Sequence, residues 1–261
     1  MQTEVFVMAV EQEMLVLRAA ALEKAASRSR ERKFFLIGGL LFPILVIIGF
    51  SKNYYFRPLF PEMGEIYSDM VRFHGAVMTA WVLLFAAQVW LVSKRNVKLH
   101  MKLGIAGVGL ALLVLVTGYI VSIGSARRSA GEEFAGMSPL EFLAIPLADL
   151  ALFVVFFGGA IVLRKRPAEH KRLMLLSALN FLPAAAARFP VEALQGLGAT
   201  WFLGLPAFLT AAVIVLDTWR HGKLNKAFLA GGLLLIAAFP GRLYIAGTST
   251  WLALAEWLTS Y

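Results

Sequence analysis

From Phe73 to Val92 the chain runs for 20 residues without a single aspartate, glutamate, lysine or arginine. A helix of about 20 residues crosses the hydrocarbon core of a bilayer. Inside that core every backbone N–H and C=O must be satisfied within the protein, and a helix does this by itself. This stretch is therefore read as a membrane-spanning helix. His74 stands at one end of it; Lys94, Arg95 and Lys98, followed by His100, stand just beyond the other. Within it His74, Met78, Trp81, Phe85 and Gln88 recur at i, i+4, i+7, i+11 and i+14, so they share one face. That face is polar near both ends and aromatic in the middle, which predicts that it turns toward other helices and not toward lipid.

The rest of the chain agrees. Hydrophobic residues make up 59% and charged residues 16%, too little polar surface for a soluble domain. The expectation is an all-α, polytopic membrane protein. A net charge of +9 invites a nucleic-acid reading. However, the basic residues lie in short clusters between apolar runs, where they set orientation and meet anionic lipid. Membrane lipids are thus the expected partners, and nucleic acid is not. With no cysteine, disulfides, thiolate metal sites and iron–sulfur clusters are excluded.

In order, residues 1–33 are polar, alanine-rich and helix-prone, and end in SRSRERK. They are read as a cytoplasmic amphipathic surface helix, with no removable signal peptide. Residues 34–261 are read as a seven-helix transmembrane domain. Its spans cover about Phe34–Phe50, Phe73–Val92, Leu103–Ile123, Phe142–Leu163, Leu173–Phe189, Trp201–Leu216 and Ala227–Ala246. Pro183 lies in the fifth, and Pro240-Gly241 is expected to break the seventh; Gly104, Gly107, Gly109 and Gly118 should let the third pack closely. The final TSTWLALAEWLTSY reads as an interfacial cap. RSRERK, KRNVK, RKR with HKR, and RHGKLNK precede the odd-numbered spans, whereas Glu62, Glu65, Asp69, Glu132, Glu133, Glu141 and Glu192 lie opposite. The positive-inside rule then gives a cytoplasmic N-terminus, an outer C-terminus and a bacterial inner-membrane location.

One repeat is visible. LVSKRNVKLHMKLG (91–104) and VLRKRPAEHKRLML (162–175) each close one span and open the next, with a histidine at the same place. His100 and His170 are therefore the candidate metal or haem ligands, although no HxxxH or HExxH spacing supports them. Lipid headgroups are the competing partners of interfacial histidines.

Charges inside spans carry more information, because an unpaired one in hydrocarbon costs several kcal/mol. Asp149, Arg188 and Arg242 fall in three different spans. At about 1.5 Å per residue their depth matches that of His74. Two readings compete: a structural Asp149–arginine pair, or an outward-facing pocket formed by His74, Trp81, Asp149, Arg188 and Arg242. Such a pocket would hold an anionic group such as a haem propionate, a lipid phosphate or a carboxylate. Nucleotide-loop, nucleophile-elbow and paired-carboxylate motifs are absent, and span seven has no lysine for a retinal Schiff base.

FRP (56–58), FHG (73–75), Trp81, Gln88, HMKLG (100–104), IPLAD (145–149), HKRLM (170–174), Arg188 and TSTW together resemble a widespread group of uncharacterised proteobacterial multi-pass membrane proteins. The resemblance covers residue 35 onward. In that group a histidine follows the glycine of the last basic loop, whereas here GKLNKA places Asn225 there. HMKLG and HKRLM are also similar to elements of smaller bacterial membrane proteins linked to haem-copper oxidase assembly. This likeness implies a respiratory accessory role, and the leading expectation is a non-enzymatic accessory or ligand-binding protein, a haem- or quinone-related partner of a respiratory complex. The competing expectations are a membrane enzyme or transporter for an amphiphilic anion, and a structural subunit of a membrane complex.

Overall fold

The computed structural model describes residues 2–60, 68–128, 133–134 and 136–260, nearly all of them helical. Of the loop acids, Glu62, Glu65 and Glu132 lie outside the described residues. Helix α1 covers Gln2–Gly49 and is followed by a π turn at Ser51–Tyr55 and a 3-10 turn at Arg57–Leu59. Then come α2 (Asp69–Ser93), α3 (Val97–Arg128), the short α4 (Pro139–Phe142), α5 (Ala144–Val162) and α6 (Pro167–Leu179). The chain finishes with α7 (Leu182–Ala186), α8 (Glu192–Gln195), α9 (Ala199–His221), α10 (Lys226–Ala246) and α11 (Ser249–Thr259).

Six stretches are long and apolar enough to cross a membrane: Gln12–Gly49, Asp69–Ser93, Val97–Arg128, Pro139–Val162, Ala199–His221 and Lys226–Ala246. Their outward faces are apolar as well; Ile105 is 79% exposed and Phe208 68%. Surfaces of this kind mark contact with lipid or with other apolar partners.

The stretch expected to be the fifth span is not one helix. α6 ends at Leu179, Asn180 and Phe181 form a turn, and α7 restarts at Leu182 with Pro183 in its first turn. The cause is Pro183, which has no N–H to give the Leu179 carbonyl and whose ring crowds that same carbonyl. The broken pair is also the most enclosed segment, since every residue from 175 to 183 is buried. By contrast α10 continues through Pro240-Gly241, so the break expected there is absent. α1 likewise has no end near residue 33. It is one helix of 48 residues, about 72 Å long at 1.5 Å per residue, with residues 12–27 exposed.

Local chemistry accounts for the ends. Ser138 and Glu141 form a capping box on α4, each side chain bonding the other's backbone N–H. Asn225 accepts the Phe228 N–H at 2.9 Å and is the N-cap of α10. α9 ends on Gly222 at φ 61°, a left-handed position that suits glycine.

Packing follows the expected face of α2: Trp81 and Phe85 are buried, whereas Phe73, Leu83 and Trp90 on other faces are exposed. At the basic end of the bundle, Arg172 of α6 makes a bidentate pair with Asp217 of α9, Nε to Oδ2 at 2.8 Å and Nη2 to Oδ1 at 2.9 Å. The Arg172 guanidinium also lies over Phe35 and Phe228, which draws in α1 and α10. Glu31 ties α1 to Lys171 and, at 3.2 Å, to His221.

Where α1 meets α7, Gly49 lets the backbones touch: an added Cβ would stand 2.3 Å from the Ala185 carbonyl oxygen. In α3, Gly118 has a close neighbour at 2.9 Å, whereas Gly109 has none within 4 Å, so only part of the expected glycine seam is used. Gly49→Val should thus lower the detergent melting temperature, with an overpacking cost of about 1–3 kcal/mol. Gly109→Ala should leave it unchanged or raise it. Equal effects from the two substitutions would contradict the packing described here.

Candidate functional site

A cavity of about 280 Å³ opens among α1, α2, α3, α5 and α7, at the end of the bundle away from the basic clusters. Its lining is mainly apolar and rich in rings, including Phe42, Phe50, Phe142, Phe181 and Phe202. His74, Asp149 and Arg188, expected to lie at one depth, all line it. The floor comes from the α6–α7 break, through Phe181 and Pro183.

The wall toward α2 is built by a short relay. Thr79 donates to the Gly75 carbonyl at 2.7 Å, so its only hydrogen is committed and Tyr55 donates to it at 3.2 Å. Tyr54 donates to the Arg72 carbonyl at 3.0 Å. Burial, with Tyr55 beside it, holds the Tyr54 phenol above its usual range, so it keeps this proton. The Tyr54 ring occupies the space that a Cβ on Gly75 would need, at 2.2 Å. The FHG glycine is what admits the tyrosine.

The same logic orients His74. Thr117 donates to the Leu113 carbonyl at 2.7 Å, which uses its one hydrogen. His74 Nδ1 lies 2.9 Å from that Thr117 oxygen and must be the donor. In the neutral ring Nε2 then holds a lone pair, and among the described residues it has no hydrogen-bond partner. One lining residue of the cavity thus carries an oriented acceptor nitrogen. Thr117 carries no sign of this role in the sequence beyond a hydroxyl within an apolar run.

Asp149 is a second polar residue of the lining. Its Oδ1 accepts from Arg242 Nη1 at 2.5 Å, and the two side chains are 10% and 2% exposed. Its backbone carbonyl accepts from Asn180 Nδ2 at 2.7 Å, so the C-cap of α6 is bound to α5 at this level. Arg242 reaches Asp149 from α10 and does not itself line the cavity; its Nε donates to Ala238 O at 3.1 Å. Arg188 donates to the Ala184 carbonyl at 2.8 Å and lies over the Phe50 ring. Trp81, expected with this group, sits apart: it is 3% exposed and packs edge-on against Phe153 and Phe157.

The two candidate metal ligands lie at the basic end. His100 and His170 come together from α3 and α6 with ring centroids 6.3 Å apart. His221 is separate from them, with Nδ1 on the Asp217 carbonyl at 2.7 Å. The Arg172–Asp217 pair was not singled out from the sequence. Asp217 gave the same signal as Asp149, an acid within an apolar run, whereas Arg172 was hidden inside the HKR cluster.

No protein-family model, curated protein or solved structure matches the chain.

Selective ¹⁵N labelling of histidine tests the hydrogen-bond assignment, with His74→Ala identifying the signal. Nδ1 of His74 should carry the proton, and Thr117→Val should remove that preference. A ring protonated only at Nε2 would contradict it.

Proposed function

We propose that this is a seven-crossing protein of the bacterial inner membrane that binds a ring-bearing amphiphile in the cavity beside His74 and Asp149. The ligand class that fits is one whose head donates hydrogen bonds from an apolar ring, as a quinol does. One observation carries this reading. An aromatic-lined cavity has two acceptor-bearing residues in its lining, His74 and Asp149, each held by a hydrogen-bonded partner, Thr117 and Arg242. Binding pockets typically combine such an apolar lining with a few placed polar groups. A quinol-class ligand would place the protein beside a respiratory complex, in the accessory role that the resemblance implies.

The topology in this proposal rests on two supports. Broken backbone at membrane depth is tolerated where protein encloses it. The buried α6–α7 pair is thus the seventh crossing, although it is not a continuous helix. The basic residues also gather at one end, where Glu31, Lys171 and His221 meet. The positive-inside rule makes that end cytoplasmic. The cavity then opens in the outer half of the membrane, and residues 1–33 lie on the cytoplasmic side.

Arg188 in the same lining favours a second reading, an amphiphilic anion. Thermal shift in detergent separates the two, using a short-chain quinol analogue and an alkyl phosphate as probes. The quinol analogue should raise the melting temperature of the wild type by several degrees. His74→Leu should abolish the shift, and Arg188→Gln should retain it. Stabilisation by the alkyl phosphate alone, lost in Arg188→Gln, would replace this reading with the anion. No shift from either probe would refute both.

A further inference from the structure

At the basic end α1 runs on past the bundle, and its residues 12–27 are exposed. The base of this free stretch is held at Arg30 and Glu31. Arg220 of α9 donates to the Arg30 carbonyl at 3.1 Å. The Glu31 carboxylate meets Lys171 of α6 and His221 of α9. Lys171 and Arg220 also lie over the rings of Phe35 and Phe34, so α1 has two cationic neighbours there besides the histidine.

Both nitrogens of the His221 ring face oxygens. Nδ1 lies 2.7 Å from the Asp217 carbonyl, with Asp217 Oδ1 at 3.3 Å, and Nε2 lies 3.2 Å from Glu31 Oε1. A carbonyl and an ionised carboxylate only accept hydrogen bonds. A neutral ring has one hydrogen, so it makes one of these bonds and turns a lone pair toward the other acceptor. The doubly protonated ring makes both, and each is then charge-assisted. His221 is also the last residue of α9, just before Gly222, where the helix dipole favours a cation.

The other charges at this point are already paired. Arg172 holds Asp217 through two bonds, and Lys171 holds Glu31. Among the described residues, Glu31, Lys171, Arg172, Asp217 and Arg220 are the charged groups that α1, α6 and α9 bring to the ring and its partners. Side chains of these types ordinarily keep their charge between about pH 5 and pH 8, whereas histidine ordinarily changes its own there. The ring proton is the charge in this cluster that comes and goes.

We propose that His221 is a proton-operated latch at the base of α1. With both nitrogens protonated, the ring bridges Glu31 of α1 to the end of α9 and fixes the direction of the exposed stretch. When one hydrogen leaves, the shorter Nδ1 bond within α9 persists and the Nε2 bond to Glu31 is lost. α1 then stays attached through Lys171 and Arg220, and its free stretch swings more widely. Docking and protonation favour one another, so the bridge is present at low pH and lost as pH rises. The latch is independent of the cavity: it uses other residues, at the opposite end of the bundle.

The chain has no cysteine, so spin labels can be placed without background. Ala20→Cys on the free stretch and Lys165→Cys in the α5–α6 turn are exposed positions, and pulsed EPR measures the distance between their labels in the full-length protein in lipid nanodiscs. The distance distribution should be narrow at about pH 6 and broad at about pH 8, on either side of the ordinary histidine value. His221→Gln should lose this pH response, and Glu31→Gln should be broad at both pH values. His170→Gln, whose native ring is committed to the Ala160 carbonyl, should respond as the wild type does. Melting curves show whether each variant is folded; for any that is not, Asn replaces Gln. A wild-type distribution that ignores pH, or a response that survives His221→Gln, would overturn the latch. Histidine ¹⁵N spectra add a second readout: at the lower pH both His221 nitrogens should carry hydrogen in the narrow state, and a single hydrogen there would also overturn it.

Discussion

A charge placed among apolar helices has to meet its opposite, and this protein answers that requirement once near each end of the bundle. Asp149 meets Arg242 between α5 and α10, and Arg172 meets Asp217 between α6 and α9. Removing one partner of such a pair leaves an uncompensated buried charge, at a cost of about 3–5 kcal/mol. Close-packed apolar helices can slide or rotate against one another at lower cost, so the two pairs set the relative placement of the four helices. α6 takes part at both ends, through Arg172 directly and through Asn180, which holds the Asp149 carbonyl.

The cavity follows from the same placement. α6 stops where Pro183 withdraws its N–H, and the turn at Asn180–Phe181 is stable only because it is enclosed. Phe181 and Pro183 of that break border the cavity. The carboxylate held by Arg242 and the His74 ring held by Thr117 give that apolar space its polar groups. At the opposite end the paired hairpins bring His100 and His170 together from distant parts of the chain.

Much of this was legible before the coordinates. Long uncharged runs announce helices, and the inward face of α2 follows from the spacing of His74, Met78, Trp81, Phe85 and Gln88. Counting residues along the spans brought Asp149 and Arg242 to one depth, and they pair. What escaped were effects that depend on a second element. Proline signals a break at both Pro183 and Pro240, yet only the first interrupts its helix; the pattern alone does not separate the two. Arg172 looked like one more interfacial cation until Asp217 stood opposite it. Trp81 shares its face with His74 but sits two turns further along the helix, where Phe153 and Phe157 enclose it.

A double-mutant cycle on Asp149 and Arg242, measured by reversible unfolding in detergent, tests the central claim most directly. Asp149→Ala should cost about 3–5 kcal/mol, and Asp149→Ala combined with Arg242→Met should cost clearly less than Asp149→Ala alone. Additive losses would mean that the two side chains do not meet, and the bundle described here would lose the contact that places its cavity.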